Sequence, residues 1–153
     1  MGALGGLTAA LVHHGQADAP VGVRFLNVIV DALDAVAGIH PVQGGTMLNK
    51  VVSTLQRTAR DAGYSTLRFN YRGVGQSAGS HDMAGGEVDD AETVALWLRA
   101  QQPQLPFSLL GFSYGGFVAA ALAGRLEAQG HEVERLLMVA PAVQRLQARE
   151  RLP

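Results

Sequence analysis

The sequence predicts an α/β fold built on a mostly parallel sheet, and three observations carry that reading. Apolar, β-branched runs alternate along the chain with stretches whose apolar residues recur at three- and four-residue spacing, the alternation of strands and crossover helices. Turn-rich loops containing Gly, Pro, Asn and Ser follow the ends of these runs. One run, from Leu105, ends in Gly111-Phe112-Ser113-Tyr114-Gly115 and continues at once as a small-residue helical pattern, so a strand, a tight turn and a helix follow one another without a linker. With 153 residues and 48% hydrophobic content the chain fits a single domain that can bury a sizeable core. Within residues 1–153 the reading is a lead-in over 1–34, a core over 35–143 and a tail over 144–153.

Taken in order, Met1 to Pro20 is a Gly-rich lead-in. Its His13-His14 pair has no third ligand at a useful spacing and reads as no metal site. Val21 to Val30 is β-branched and partly alternating, which predicts a strand; Asp31 to Asp34 reads as a turn, and Ala35 to Ile39 as a second, more fully buried strand. The loop His40-Pro41-Val42-Gln43-Gly44-Gly45-Thr46 leads to a helix from about Asn49, with Val51, Val52, Leu55 and Ala59 at helical spacing and Gly63 as its stop. Thr66 to Tyr71 alternates as a strand and enters the loop Arg72-Gly73-Val74-Gly75-Gln76-Ser77. A helix is predicted from Glu87 to Gln102, closed by Pro103 and Pro106. Beyond Ser113, Phe117 to Gln129 is helical with Gly130 as its stop, and Val133 to Val139 is a further buried strand ended by Pro141.

Composition narrows the function. Twelve basic and thirteen acidic residues nearly cancel, and neither sign forms a run of five, so nothing favours a nucleic-acid surface. The absence of cysteine excludes a disulfide framework, a thiolate metal site and a cysteine nucleophile. No Lys or Arg precedes Arg24, Gly6 occupies the Ser/Thr position of a myristoylation motif, and no apolar run reaches the length of a membrane span; a cytoplasmic protein is the expectation. No cofactor and no metal are expected.

In a parallel α/β sheet the ligand crevice lies outside the carboxyl ends of the strands, which brings the loops at His40 to Thr46, Arg72 to Ser77, Ser113 and Pro141 to one edge. Gly-x-Ser-x-Gly fits a nucleophile at such an edge, because Gly111 and Gly115 let strand and helix approach closely while Ser113 projects from the turn. The amides of the following helix would face negative charge developing on a substrate oxygen. The loop at Arg72 lacks the Lys of a Walker loop and its third glycine falls one position late for Gly-x-Gly-x-x-Gly, so nucleotide binding gains no support. Asp89-Asp90, in the first turn of a helix, read as residues favourable to its dipole.

The three motifs, His40-Pro41-Val42-Gln43-Gly44-Gly45-Thr46, Phe69 to Ser77 and Gly111 to Gly115, together resemble those of the α/β-hydrolase fold, in particular small bacterial serine hydrolases with HPxxGGT, FNYRGVGxS and GFSYG motifs. The match spans about Ile39 to Val143, and Gly38-Ile39 stands where family members usually carry a first His-Pro pair. The resemblance implies a three-layer sandwich with a mostly parallel sheet and a serine hydrolase acting on a carboxylic ester or related acyl bond of a small-molecule substrate. It also implies Ser113 as nucleophile, the Tyr114 N–H as one oxyanion donor and a backbone N–H around Val42 as the other.

Triad partners in this fold follow the nucleophile as Asp or Glu and then His at later strand ends. Only one clear strand follows Ser113 here; His131 lies between a helix and a strand, at the wrong edge, Glu127, Glu132 and Glu134 lie in the same helix-to-strand region, and Glu150 lies in the tail. The expectation is therefore a hydrolase lacking its last strands, its triad acid and its histidine, and so impaired. His40 and His81, on loops at the correct edge, are the candidates for a substitute base; the alternative is that His40 only shapes the oxyanion loop and His81 is a solvated loop residue. A non-catalytic α/β binding module and an incomplete gene product stand as alternatives to the enzyme. The strand over 133–139 would then be an open apolar edge, through which the chain is expected to pair with a second copy or aggregate. Neither a nucleic-acid nor a membrane partner is expected.

Overall fold

The structure, a computed structural model, describes residues 9–12, 26–30, 50–74, 76–80, 85–101 and 103–141. Among these, five strands and three helices follow in the order β1 (Ala9–Val12), β2 (Leu26–Val30), α1 (Lys50–Asp61), β3 (Ser65–Phe69), α2 (Gly86–Gln101), β4 (Phe107–Phe112), α3 (Tyr114–Ala128) and β5 (Arg135–Val139). They form one sheet in the order β1-β3-β2-β4-β5. The pairs β2–β3, β2–β4 and β4–β5 are parallel, as a sheet with helical crossovers requires. The Gly-rich lead-in, in which no strand was expected, contributes β1, which runs antiparallel to β3 with Ala9 opposite Phe69 and Val12 opposite Thr66. Its sequence Ala-Ala-Leu-Val is too short for a period to declare itself, and pairing with β3 supplies what local propensity does not. The expected strand over 35–39 lies outside the described residues.

Strand alternation divides the core between two faces. Leu67, Phe69, Phe107 and Leu109 lie in one apolar cluster with Val94 and Leu98 of α2 and Val118, Leu122 and Leu126 of α3. The spacing 118, 122, 126 gives α3 a continuous apolar stripe, each member of which is worth about 1.5–3 kcal/mol when buried. On the opposite face Leu110 packs with Val52 of α1, alongside Leu55 and Phe112. Three layers result, with α1 on one side and α2 and α3 on the other.

Helices α1 and α3 end as the sequence indicates. Gly63 and Gly130 take φ of 88° and 81°, and the Tyr64 and His131 amides reach back to the carbonyls of Ala59 and Leu126 at 3.1 and 2.8 Å, closing each last turn. The chain then re-enters the sheet at the edge opposite Ser113. Helix α3 starts at Tyr114, directly from the turn, as the helical pattern that continues at once after Ser113 indicates. β5 is two residues shorter at its start than the expected 133–139, and it is the last strand of the described sheet.

Candidate active site

Ser113 stands where β4 passes into α3, and every local feature of that turn departs from an ordinary helix start. Its φ of 52° and ψ of −117° place it in backbone space that L-residues rarely occupy, at a cost of order 1–3 kcal/mol. A serine at this position usually spends its hydroxyl on a helix amide, yet Ser113 makes no side-chain capping bond. Ser113 is half-buried at the carboxyl edge of the sheet, its hydroxyl not engaged in a cap.

The turn is held from both sides. The Ser113 N–H donates to the Val139 carbonyl at 3.0 Å, continuing the β4–β5 ladder past the end of β4, and the Gly116 N–H donates to the Ser113 carbonyl at 3.0 Å. A Cβ on Gly111 would collide with the Gly115 carbonyl oxygen and stand 2.6 Å from the Gly115 carbonyl carbon and 2.7 Å from the Gly116 Cα. Strand and helix therefore touch backbone to backbone, which only glycine permits. Gly116 in turn faces Pro141, whose Cβ would lie 3.1 Å from an added Cβ. Ala140, directly before that proline, has φ of 44°. The two non-glycine residues of positive φ among the described residues thus sit at the ends of adjacent strands, where strain commonly marks a functional site.

Behind Ser113, Tyr114 is buried and its ring meets Tyr71 edge-on at 6.3 Å and Phe117 at 5.8 Å. Tyr71 opens the loop after β3, three of whose amides bond within it: Val74 to the Tyr71 carbonyl, Ser77 to the Val74 carbonyl and Gly73 to the Ala78 carbonyl, at 3.0, 3.0 and 3.1 Å. The Ser77 hydroxyl donates to the Asn70 carbonyl at 2.8 Å, so this serine is tied into the loop.

Asp90 departs from expectation. Instead of serving the dipole of α2, its buried carboxylate receives the Arg72 guanidinium, with Nη2 to Oδ1 at 2.7 Å, and the Arg72 backbone N–H at 2.9 Å. Asp89 does face solvent, where Arg125 of α3 binds it. Helical period could have separated the two: Glu87, Asp90, Ala91, Val94 and Leu98 share the buried side of α2, and Asp89 does not.

His40, Val42 and His81, the expected oxyanion loop and substitute bases, lie outside the described residues. His131, the one histidine among the described residues, follows α3 at the opposite edge of the sheet, as do Glu132 and Glu134, and Glu127 lies in the last turn of α3. A cavity of about 300 Å³ is also at that edge, between Arg99, the segment 103–107 and Glu132 and Glu134, and so is not part of the Ser113 site. Among the described residues no group of three His, Asp or Glu could hold a metal ion, and no helix is long and apolar enough to cross a membrane.

A mostly parallel sheet with helices on both faces and a tight strand-to-helix turn is the architecture of an α/β hydrolase, and solved structures share it. XC6422 of Xanthomonas campestris, an α/β serine hydrolase without a lid, superposes with a TM-score of 0.72 at 36% identity, over 88% of this chain and 56% of that one. An α/β serine hydrolase homologue from Coxiella burnetii gives 0.67 at 32% identity, over 88% and 57%. The uncharacterized protein RP471 of Rickettsia prowazekii is 40% identical over 105 residues, 68% of this chain and 42% of its own length. The thioesterase domain matches residues 48–152, and the chain belongs to that family of α/β hydrolases. It spans about half the length of these relatives.

Proposed function

We propose that this chain carries the nucleophile of a serine hydrolase that cleaves acyl bonds, carboxylic esters or thioesters, and that Ser113 is that nucleophile. The observation that carries the reading is the backbone of Ser113, held at φ 52° with its hydroxyl uncommitted to a cap. The hydroxyl oxygen attacks the acyl carbon, and the resulting oxyanion is met by the Tyr114 N–H at the start of α3 and by an N–H of the loop around Val42. The leaving group departs, and water then releases the acyl group from Ser113.

A base must take the serine proton, and the described residues bring no histidine to this edge. Where no histidine reaches Ser113 acylation is slow, and we assign the role of base to neither His40 nor His81.

Incubation with a fluorophosphonate tests the assignment, with peptide mapping of the adduct. Slow modification of Ser113, absent in Ser113→Ala, is the expected result. Label on Ser77 or Ser108 would remove the elbow assignment, and rapid stoichiometric label would show that a base is in place. No label at all would favour the second reading, a non-catalytic α/β module that binds acyl ligands at the same edge.

A further inference from the structure

We propose that Asp90 is a positioning residue for the Ser113 turn, acting through Arg72 and the Tyr71–Tyr114 ring contact on the peptide N–H beside the serine. The proposal rests on the reading of Ser113 as nucleophile. Its first link is the geometry of the pair: Arg72 Nε lies 3.1 Å from both Asp90 oxygens, Nη2 lies 2.7 Å from Oδ1, and the Arg72 backbone N–H donates to Oδ2 at 2.9 Å. A fork of this kind fixes direction as well as distance, which a lysine in the same place does not. Because the backbone amide is held along with the side chain, the course of the chain at the exit of β3 is set from α2.

The second link is the seating of the guanidinium on the first turn of α2. A Cβ on Gly86 would clash with the Arg72 head, standing 2.6 Å from Cζ, so the arginine lies flat where glycine leaves room. The third link is Tyr71, the residue before Arg72, which is 1% exposed. Its ring is edge-on to Phe69 at 5.3 Å on one side and to Tyr114 at 6.3 Å on the other. Tyr114 is the first residue of α3 and follows Ser113 directly, so a shift of its ring turns the peptide that carries the candidate oxyanion donor.

Stability alone is a weak reason for such a pair. The Asp90 side chain is 8% exposed and that of Arg72 31%, and a partly buried ion pair loses to desolvation much of what its charges gain. What the pair does supply is one orientation for Tyr71, and misplacement of a reacting group by about 1 Å is enough to slow a reaction by two orders of magnitude.

The full chain labelled with ¹⁵N-tyrosine gives three amide signals, from Tyr64, Tyr71 and Tyr114. In Asp90→Asn the signals of Tyr71 and Tyr114 should move while that of Tyr64, at the far edge before β3, stays in place. The rate of fluorophosphonate modification at Ser113 should fall about tenfold or more. Arg72→Lys, which keeps the charge and loses the fork, should give a smaller change in the same direction and serves if Asp90→Asn does not fold. An unmoved Tyr114 signal in the folded variants would overturn the proposal, as would an unchanged modification rate. If Ser113 of the unsubstituted chain takes no label, the nucleophile reading fails, and the tyrosine signals still decide whether Asp90 fixes the turn.

Discussion

β4 and β5 are neighbours in one sheet and similar in composition, yet they live in different solvents. β4, Phe-Ser-Leu-Leu-Gly-Phe, lies between β2 and β5, and its first five residues are buried. β5, Arg-Leu-Leu-Met-Val, pairs with β4 alone among the described strands, and its first three residues are exposed, Leu136 at 38% and Leu137 at 47%. Register puts an exposed leucine on each of its faces, although α3 reaches the strand. Leu136 lies beside Leu109 on the side of α3, and Leu137 beside Leu110 on the side of α1. An apolar strand is therefore not in itself a buried one; burial is conferred by what lies on its two faces and beyond its edge. The contrast continues at the strand ends, where β4 carries the strained serine and β5 supplies the carbonyl that holds it.

The sharpest way to break the β4 side of this comparison is at Gly111. Both groups that a side chain would meet there are backbone, so neither can swing aside, and strand and helix must part. Gly111→Val is expected to cost about 5 kcal/mol or more, in the range reserved for severe core disruption, and to leave little folded chain at 25 °C. Urea denaturation followed by circular dichroism measures it; a cost below about 1 kcal/mol would show that the contact is looser than the backbone geometry states.

Much of the site's frame was legible before the fold was known, for identifiable reasons. Gly111, Ser113 and Gly115 announce a close turn because chemistry and sterics both restrict those positions, and the helix stops at Gly63 and Gly130 depend on a backbone conformation that glycine alone adopts freely. β1 was not legible, since four residues in a Gly-rich segment become a strand only through pairing with β3. The role of Asp90 was hidden for a related reason: its partner Arg72 is 18 residues away and on another element, so no local pattern joins them. The expectation of a buried strand over 133–139 fails at Leu136 and Leu137, because burial there is a property of the sheet and not of the strand's own five residues.

A second pair of variants sharpens the comparison directly. Leu109 is fully buried, and Leu109→Ala should cost about 2–5 kcal/mol through lost burial and the cavity left behind. Leu137→Ala, truncating a side chain already half in water, should cost under about 1 kcal/mol. Equal costs at the two positions would mean that Leu137 is covered in solution. The sequence-based expectation that copies of the chain pair through 133–139 is tested by the same position: Leu137→Glu should shift sedimentation at micromolar concentration toward the monomer, and an unsubstituted chain that is already a stable monomer would end that expectation.

The smallest effect concerns α3, the helix that lies over both strands and is fastened to α2 by charges. Arg125 donates to Asp89 at 2.6 Å and to Glu92 at 2.8 Å, and Gln129 donates to Glu92 at 2.6 Å. The Arg125 and Gln129 hydrogen bonds hold the Glu92 carboxyl below its ordinary value, against a weaker opposing effect of burial. A carboxylate whose folded pKa is depressed stabilises the fold above its unfolded pKa and loses that contribution as pH falls through the folded one. Glu92→Gln should therefore be less stable than the unsubstituted chain at pH 7, by no more than about 1 kcal/mol because the Arg125 side chain is 36% exposed and screened. The gap should begin to close as the pH drops below about 4.5 and vanish once Glu92 is protonated in the folded chain. Parallel urea titrations of the two proteins across pH 7 to 3 would show this convergence, and a constant difference over the whole range would mean that Glu92 holds α3 to α2 by shape and not by charge.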